Sequence, residues 1–125
     1  NQLIFDNVVL CQADTNNAGH PNWVDTISHN RRVFITINEN DFALRLSRIK
    51  PGDAQRARLG HYIKRLDSRI AHYINLTDAS WVQESHSPFG EPAKKNQKLR
   101  EFFRAAFTGQ PAELPLRFRS EGNWY

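Results

Sequence analysis

The sequence has few of the features that mark disulfide-rich, metal-binding or membrane proteins. A single cysteine, Cys11, excludes an internal disulfide and any site built from several thiolates, and it suits the reducing conditions of a cytoplasmic protein. No apolar run approaches the roughly 20 residues that a membrane-spanning helix needs. No basic leader precedes an apolar stretch, so no signal peptide is expected. No spacing of histidine, cysteine and carboxylate residues matches a metal site, and we expect neither a metal nor another cofactor.

The charge of the chain is mildly basic, with 17 Lys and Arg against 13 Asp and Glu, a net charge of +4. Such a balance can indicate binding to nucleic acid. Here the basic residues are scattered among acids, and no patch combines basic with aromatic residues. We therefore expect no nucleic-acid partner.

The length of 125 residues corresponds to one domain or part of one. A composition of 39% hydrophobic and 24% charged residues is ordinary for a globular protein. Patterned sequence continues to about residue 110. We therefore assign 1–110 to a domain and 111–125 to a C-terminal tail.

Strand and helix patterns alternate along the chain. Apolar runs rich in β-branched and aromatic residues predict strands at 8–11, 32–38 and 70–77. Helical spacing predicts helices from Pro21, over 42–49, and over 99–107 before Gly109. Residues 53–69 lack a period and predict a solvated excursion with a helical turn near 62–66, and 78–92 predicts a loop.

This order predicts an α/β fold of three layers, with parallel strands and flanking helices in the order βαβαβα. Three strands make a small sheet beside the usual five or six. The first strand looks buried on both faces, and an open apolar edge invites association. Either the chain forms a small domain with a tight dimer, or it is half of a larger sheet.

Candidate site residues follow the predicted strands. In open α/β sheets, ligands bind beyond the carboxyl ends of the strands. Asp14 follows the first strand, Glu39 and Asp41 follow the second, and His86 follows the third. An acid and a histidine brought together at one sheet edge match an acid that orients a histidine base.

Each of these residues also has a structural interpretation. Asp41 precedes a helix and can cap it through its carboxylate. Glu39 can be a solvated loop acid, and Asp14 can shape the turn that it occupies. A loop histidine such as His86 is more often a surface residue than a base.

Four segments together resemble the C-terminal half of the α/β-hydrolase fold, in particular a bacterial family of esterase- and lipase-like proteins of poorly defined substrate. The likeness spans most of residues 4–108. The segments are VVLCQAD (8–14), VFITINENDFAL (33–44), RLG (58–60) and HSPFG (86–90).

The resemblance implies that the three strands correspond to the sixth, seventh and eighth of that fold. Asp41 then falls at the catalytic acid and His86 at the catalytic histidine, in the family's order of serine, acid, histidine. Glu39 and Asp14 remain alternative acids. No Gly-x-Ser-x-Gly occurs in the chain, so the resemblance implies a nucleophile in an N-terminal part that is absent here.

The expected function is therefore the C-terminal fragment of a serine hydrolase, inactive alone, that acts on a small ester when intact. The expected partner at the first strand is the missing N-terminal half or a second copy of the chain. The alternative is a non-catalytic α/β module for binding or oligomerisation.

Overall fold

The core of the fold is a parallel sheet of three strands. The computed structural model describes residues 5–27, 30–49, 51 and 56–116. The strands are β1 (Asn7–Cys11), β2 (Arg32–Ile37) and β3 (Ala71–Asn75), in the spatial order β1-β2-β3. Both pairings are parallel, and the three strand ends therefore meet at one edge. The predicted α/β class is confirmed.

Short helices connect and flank these strands. They are α1 (Pro21–Val24), α2 (Phe42–Ser47), a 3-10 helix (Leu59–His61), α3 (Glu91–Lys95) and α4 (Gln97–Phe107). The longest, α4, begins at the cap residue Asn96, whose side chain accepts a hydrogen bond from the Leu99 amide. Across the described ranges, no helix has both the length and the apolar character needed to cross a bilayer.

The sheet buries both of its faces. Successive residues of a strand point to opposite sides, so β2 contributes to two apolar clusters. On one side Phe34 and Ile74 pack against α4 through Leu99, Phe102 and Phe103. The cluster on the other side contains Val24 of α1, Leu59 of the 3-10 helix and the sheet residues Val33, Ile35, Ile37, Ala71 and Tyr73. Helical elements therefore cover the sheet on both sides.

The edge strand β1 is less buried than its sequence suggests. All five of its residues are only partly buried, whereas five of the six residues of β2 are fully buried. The reason is position, because β1 pairs with β2 on one side and with no other described strand on its second side. An apolar strand is thus left half-covered at an open edge.

Two local predictions were wrong. The helical turn expected near 62–66 is absent, and the chain forms its 3-10 turn at Leu59–His61 instead. The segment expected to be a loop ends in α3, a five-residue helix that has Pro92 in its first turn and no apolar period to reveal it. Residues 53–55 of the predicted excursion lie outside the described ranges.

The chain continues to pack against the α4 side of the sheet after residue 110. Ala112 is fully buried there, and Leu116 contacts the same cluster. The tail boundary at 110 stays a prediction, since 117–125 lie outside the described residues.

Gly60 allows the 3-10 helix to lie directly against the turn that follows β1. A Cβ atom at this position would lie 2.1 Å from the carbonyl carbon of Gln12 and 2.4 Å from the Ala13 nitrogen. Backbone cannot yield as a side chain does, so we expect Gly60→Ala to lower the free energy of unfolding by about 3 kcal/mol in urea titrations. Gly90→Ala is the matched control, because the nearest atom to its new Cβ lies at 3.4 Å. Equal stabilities of the two variants would contradict this packing.

Candidate active site

Asp41 follows β2 and begins α2. Its Oδ1 accepts a hydrogen bond of 3.0 Å from the Leu44 amide, so the carboxylate does cap the helix. The residue is 0% exposed. The cap uses one carboxylate oxygen and leaves Oδ2 for other partners. The helix thus fixes the direction of a buried charge.

His86 meets the free oxygen of this carboxylate. Its Nδ1 lies 2.6 Å from Asp41 Oδ2, and its side chain is 47% exposed. The two residues arrive from the ends of neighbouring strands, and the juxtaposition expected from the sheet order is observed. An ionised carboxylate can only accept, so Nδ1 carries the proton in the neutral ring and Nε2 keeps its lone pair.

Gln12, the first residue after β1, connects Asp41 to the loop that carries His86. It is 0% exposed. Its side-chain amide donates to Asp41 Oδ2 and, at 2.7 Å, to the Ser85 carbonyl. The carboxylate of Asp41 therefore accepts from three donors, which compensate for the burial of its charge.

The loop that carries His86 is fastened to the turn between β2 and α2. The side-chain amide of Asn38 donates to the carbonyls of Gln83 at 2.8 Å and Ser85 at 3.3 Å. The Phe42 amide donates to the Glu84 carbonyl at 3.3 Å. These bonds hold the histidine loop against the acid loop independently of the ring itself.

The two alternative acids lie elsewhere. Asp14 pairs with Arg58 at 3.1 Å and accepts from the Ser47 hydroxyl at 2.7 Å, so it fastens the β1 turn to α2. Glu39 makes no bond to His86. Among the described residues, Asp41 supplies the only carboxylate bonded to that ring. Geometry thus favours Asp41 over Glu39 and Asp14 as the partner of the histidine.

A second histidine, His61, lies buried near the acid. Burial lowers its pKa, as does the charge of Arg48, while the charge of Asp41 opposes them. The pKa of His61 therefore lies below the ordinary histidine value, which favours the neutral ring at pH 7. His61 adds no positive charge that would compete with His86 for the carboxylate.

The thiol of Cys11 is held in its unreactive form. Burial raises its pKa to about 11, so at pH 7 only about one molecule in 10⁴ carries the thiolate. At pH 8 we expect alkylation by iodoacetamide to be roughly a hundredfold or more slower than in the urea-unfolded chain, whose thiol has an ordinary pKa of about 8.5. The rate in the folded chain should keep rising with pH towards 11. Equal rates before and after unfolding would show an accessible thiolate.

No group of three or more histidine, cysteine, aspartate or glutamate side chains in the described part of the chain could hold a metal ion. The polar side chains that the fold brings together at this strand edge are those of Asp41, His86 and Gln12.

Comparisons with protein-family models, with curated proteins and with solved structures return no match for this chain. The resemblance to the α/β-hydrolase fold remains a prediction from the sequence.

Proposed function

We propose that this chain is the C-terminal part of a serine hydrolase of the esterase or lipase type, with the α/β-hydrolase fold, and that Asp41 and His86 are its catalytic acid and base. The observation that carries the proposal is the 2.6 Å contact between a fully buried carboxylate and Nδ1 of a half-exposed histidine. A buried acid that orients an accessible imidazole is the arrangement that activates a hydroxyl nucleophile.

The proposed reaction moves one proton through Nε2 of His86. As the serine oxygen attacks the ester carbonyl, its proton passes to Nε2, and Asp41 stabilises the resulting imidazolium through Nδ1–H. The ring then returns the proton to the leaving alcohol as the ester C–O bond breaks. Water then attacks the acyl-enzyme with the same proton transfers through His86, so that the carboxylic acid product is released and the serine is restored.

Four groups near the site or the histidine loop, the hydroxyls of Ser47, Ser85 and Ser87 and the thiol of Cys11, are poorly suited to be the nucleophile of this reaction. Ser85 and Ser87 adjoin His86 in sequence, which places them poorly for attack through its ring. Ser47 donates to Asp14, and the raised pKa of Cys11 keeps that thiol protonated. A nucleophile elbow, Gly-x-Ser-x-Gly, is missing from the whole sequence. We therefore place the serine and its oxyanion hole in an N-terminal part of a longer parent protein.

The open edge of β1 is where that part would join. The strand is apolar, partly buried along its whole length, and paired on one side only within the described residues. Pairing with a further strand would complete its ladder and cover Val8 to Cys11. It would also bring a neighbouring strand end to the edge that carries Gln12, Asp41 and His86.

A fluorophosphonate probe tests this division of the active site. In the parent protein we expect the probe to label one serine upstream of this chain, located by peptide mass spectrometry. This chain alone should not be labelled, because a hydrolase without its nucleophile and oxyanion hole loses nearly all of its rate enhancement. Labelling of any serine within this chain would overturn the assignment.

The open edge also favours a second candidate, a non-catalytic module for binding or oligomerisation. In that case β1 pairs with another copy of the chain, and the Asp41–His86 bond only fastens two loops. Light scattering of this chain bears on the choice between the two candidate functions, since a stable dimer is expected of the oligomerisation module. Ester hydrolysis by the parent that is unaffected by replacement of His86 would favour the module.

A further inference from the structure

Gln12 occupies a backbone conformation that its residue type rarely adopts. Its φ is +42°, in the left-handed region where side chains other than glycine, asparagine and aspartate are uncommon. The residue stands at the end of β1 and is entirely buried. Such positions persist only where the surrounding structure enforces them.

Two neighbouring elements enforce this conformation. The backbone amide of Gln12 donates to both the carbonyl and the hydroxyl oxygen of Thr36 in β2, at 3.2 and 3.1 Å. On the other side, Gly60 packs its backbone directly against that of Gln12 and donates to the Ala13 carbonyl at 3.0 Å. The turn after β1 is therefore clamped between β2 and the 3-10 helix, and the clamp directs the Gln12 side chain towards the acid.

The side-chain amide uses both of its hydrogens in the site. Its partners are Asp41 Oδ2 and the Ser85 carbonyl, which are both acceptors, so the nitrogen and not the oxygen must face them. Asp41 Oδ2 is the same oxygen that His86 contacts. One amide thus binds the acid and the backbone next to the histidine at the same time.

Two other features of Gln12, its side-chain oxygen and its backbone conformation, lower the stability of the fold. Its Oε1 is buried and has no hydrogen-bond partner among the described residues. An orphaned buried oxygen and a left-handed backbone both oppose folding. Strained and unsatisfied groups of this kind concentrate at functional sites, where geometry is retained at the expense of stability.

We infer that Gln12 is a positioning residue, which holds the Asp41 carboxylate and the His86 loop in register so that His86 keeps its proton on Nδ1. Its relevance to hydrolysis rests on the proposed function, but the positioning itself is a property of this chain. Without the amide, Asp41 Oδ2 loses one of its two donors and the carbonyl of Ser85 loses a partner. The carboxylate can then turn away from the ring, and the preference for Nδ1–H weakens.

Long-range ¹H–¹⁵N NMR spectra of the histidine rings test this on the chain itself. The signals of His86 are assigned by their loss in His86→Gln. Two variants remove the amide from the acid. Gln12→Leu replaces the amide with a shorter apolar side chain that has no donor, and Gln12→Asn withdraws the donor by one methylene while better suiting the left-handed backbone. In both variants we expect the ratio of the Nδ1–H tautomer to the Nε2–H tautomer of neutral His86 to fall roughly three- to tenfold. The loss of one hydrogen bond to a charged group is large enough to cause a change of this size.

Arg65→Leu is the matched control, because Arg65 is also left-handed, with φ of +56°, but it is exposed and lies outside the histidine loop. Its His86 ratio should equal that of the unchanged chain. Asp41→Ala removes the acceptor altogether, and its His86 tautomer ratio gives the largest change that can be expected. Near-UV circular dichroism reports folding, and Gln12→Asn decides the outcome if Gln12→Leu does not fold.

An unchanged ratio in Gln12→Asn beside a changed ratio in Asp41→Ala would overturn the positioning role. A parent protein that hydrolyses no ester, with the ratio still falling, would instead refute the proposed function and leave the positioning intact. The two failures are therefore distinguishable.

Discussion

On the proposed function, we expect His86→Gln to lower kcat for p-nitrophenyl ester hydrolysis by the parent protein roughly 10⁴- to 10⁶-fold, because the serine would then have no base. KM should change little, since the ring transfers a proton in the transition state and is not expected to bind the ester in the ground state. Stability should also change little, because the His86 side chain is half-exposed and Asp41 keeps its other two donors. Activity and urea titrations on the same samples separate the two effects.

Ser87→Ala is the control for this variant. Ser87 is exposed and adjoins the histidine, so its replacement disturbs the same loop without touching the ring. Its kcat should stay within a small factor of the unchanged protein. Parallel losses in the two variants would point to a damaged loop and not to a missing base.

On the proposed function, we expect Asp41→Asn to lower kcat roughly 10⁴-fold. The carboxylate accepts at both of its oxygens, from Leu44 on one side and from Gln12 and His86 on the other. The side-chain amide of asparagine has one oxygen and one NH₂ group. In one orientation the NH₂ group faces the Leu44 amide, and in the other it faces Gln12 and His86, so that donors meet on one side in either case. The substitution also removes the negative charge that, in the proposed reaction, would stabilise the His86 imidazolium. We expect a smaller loss of stability, of about 1–2 kcal/mol, from the mismatched hydrogen bond.

Asp78→Asn provides the matched change of charge. Asp78 also follows a strand, β3, but it is exposed. Its kcat and its urea midpoint should equal those of the unchanged protein. If Asp41→Asn retained full activity, the carboxylate would be a helix cap and nothing more.

The sheet and α4 could be predicted from local sequence, because their signals are local. A run such as Val33 to Ile37 favours a strand wherever it packs, and the spacing of Leu99, Phe102, Phe103 and Ala106 places them on one helix face. The meeting of Asp41 and His86 follows from the parallel order of the strands, which brings their carboxyl ends to one edge. Their catalytic roles are not contained in that argument and stay predictions.

Gln12 could not be predicted in the same way. In the sequence it is one polar residue after a strand, and its burial depends on Gly60, which lies 48 positions later and packs against its backbone. The RLG segment that ends in Gly60 carried part of the family resemblance, and the close approach gives a physical reason for a glycine there. The half-covered state of β1 was also beyond the sequence, because burial depends on what lies beyond the open edge.

The rate at which a fluorophosphonate labels the parent protein tests the central claim most directly, since it measures activation of the nucleophile without requiring the natural substrate. We expect His86→Gln to slow labelling at least roughly a thousandfold while the protein stays folded. Labelling of the same serine at an undiminished rate would show that the Asp41–His86 pair does not activate it.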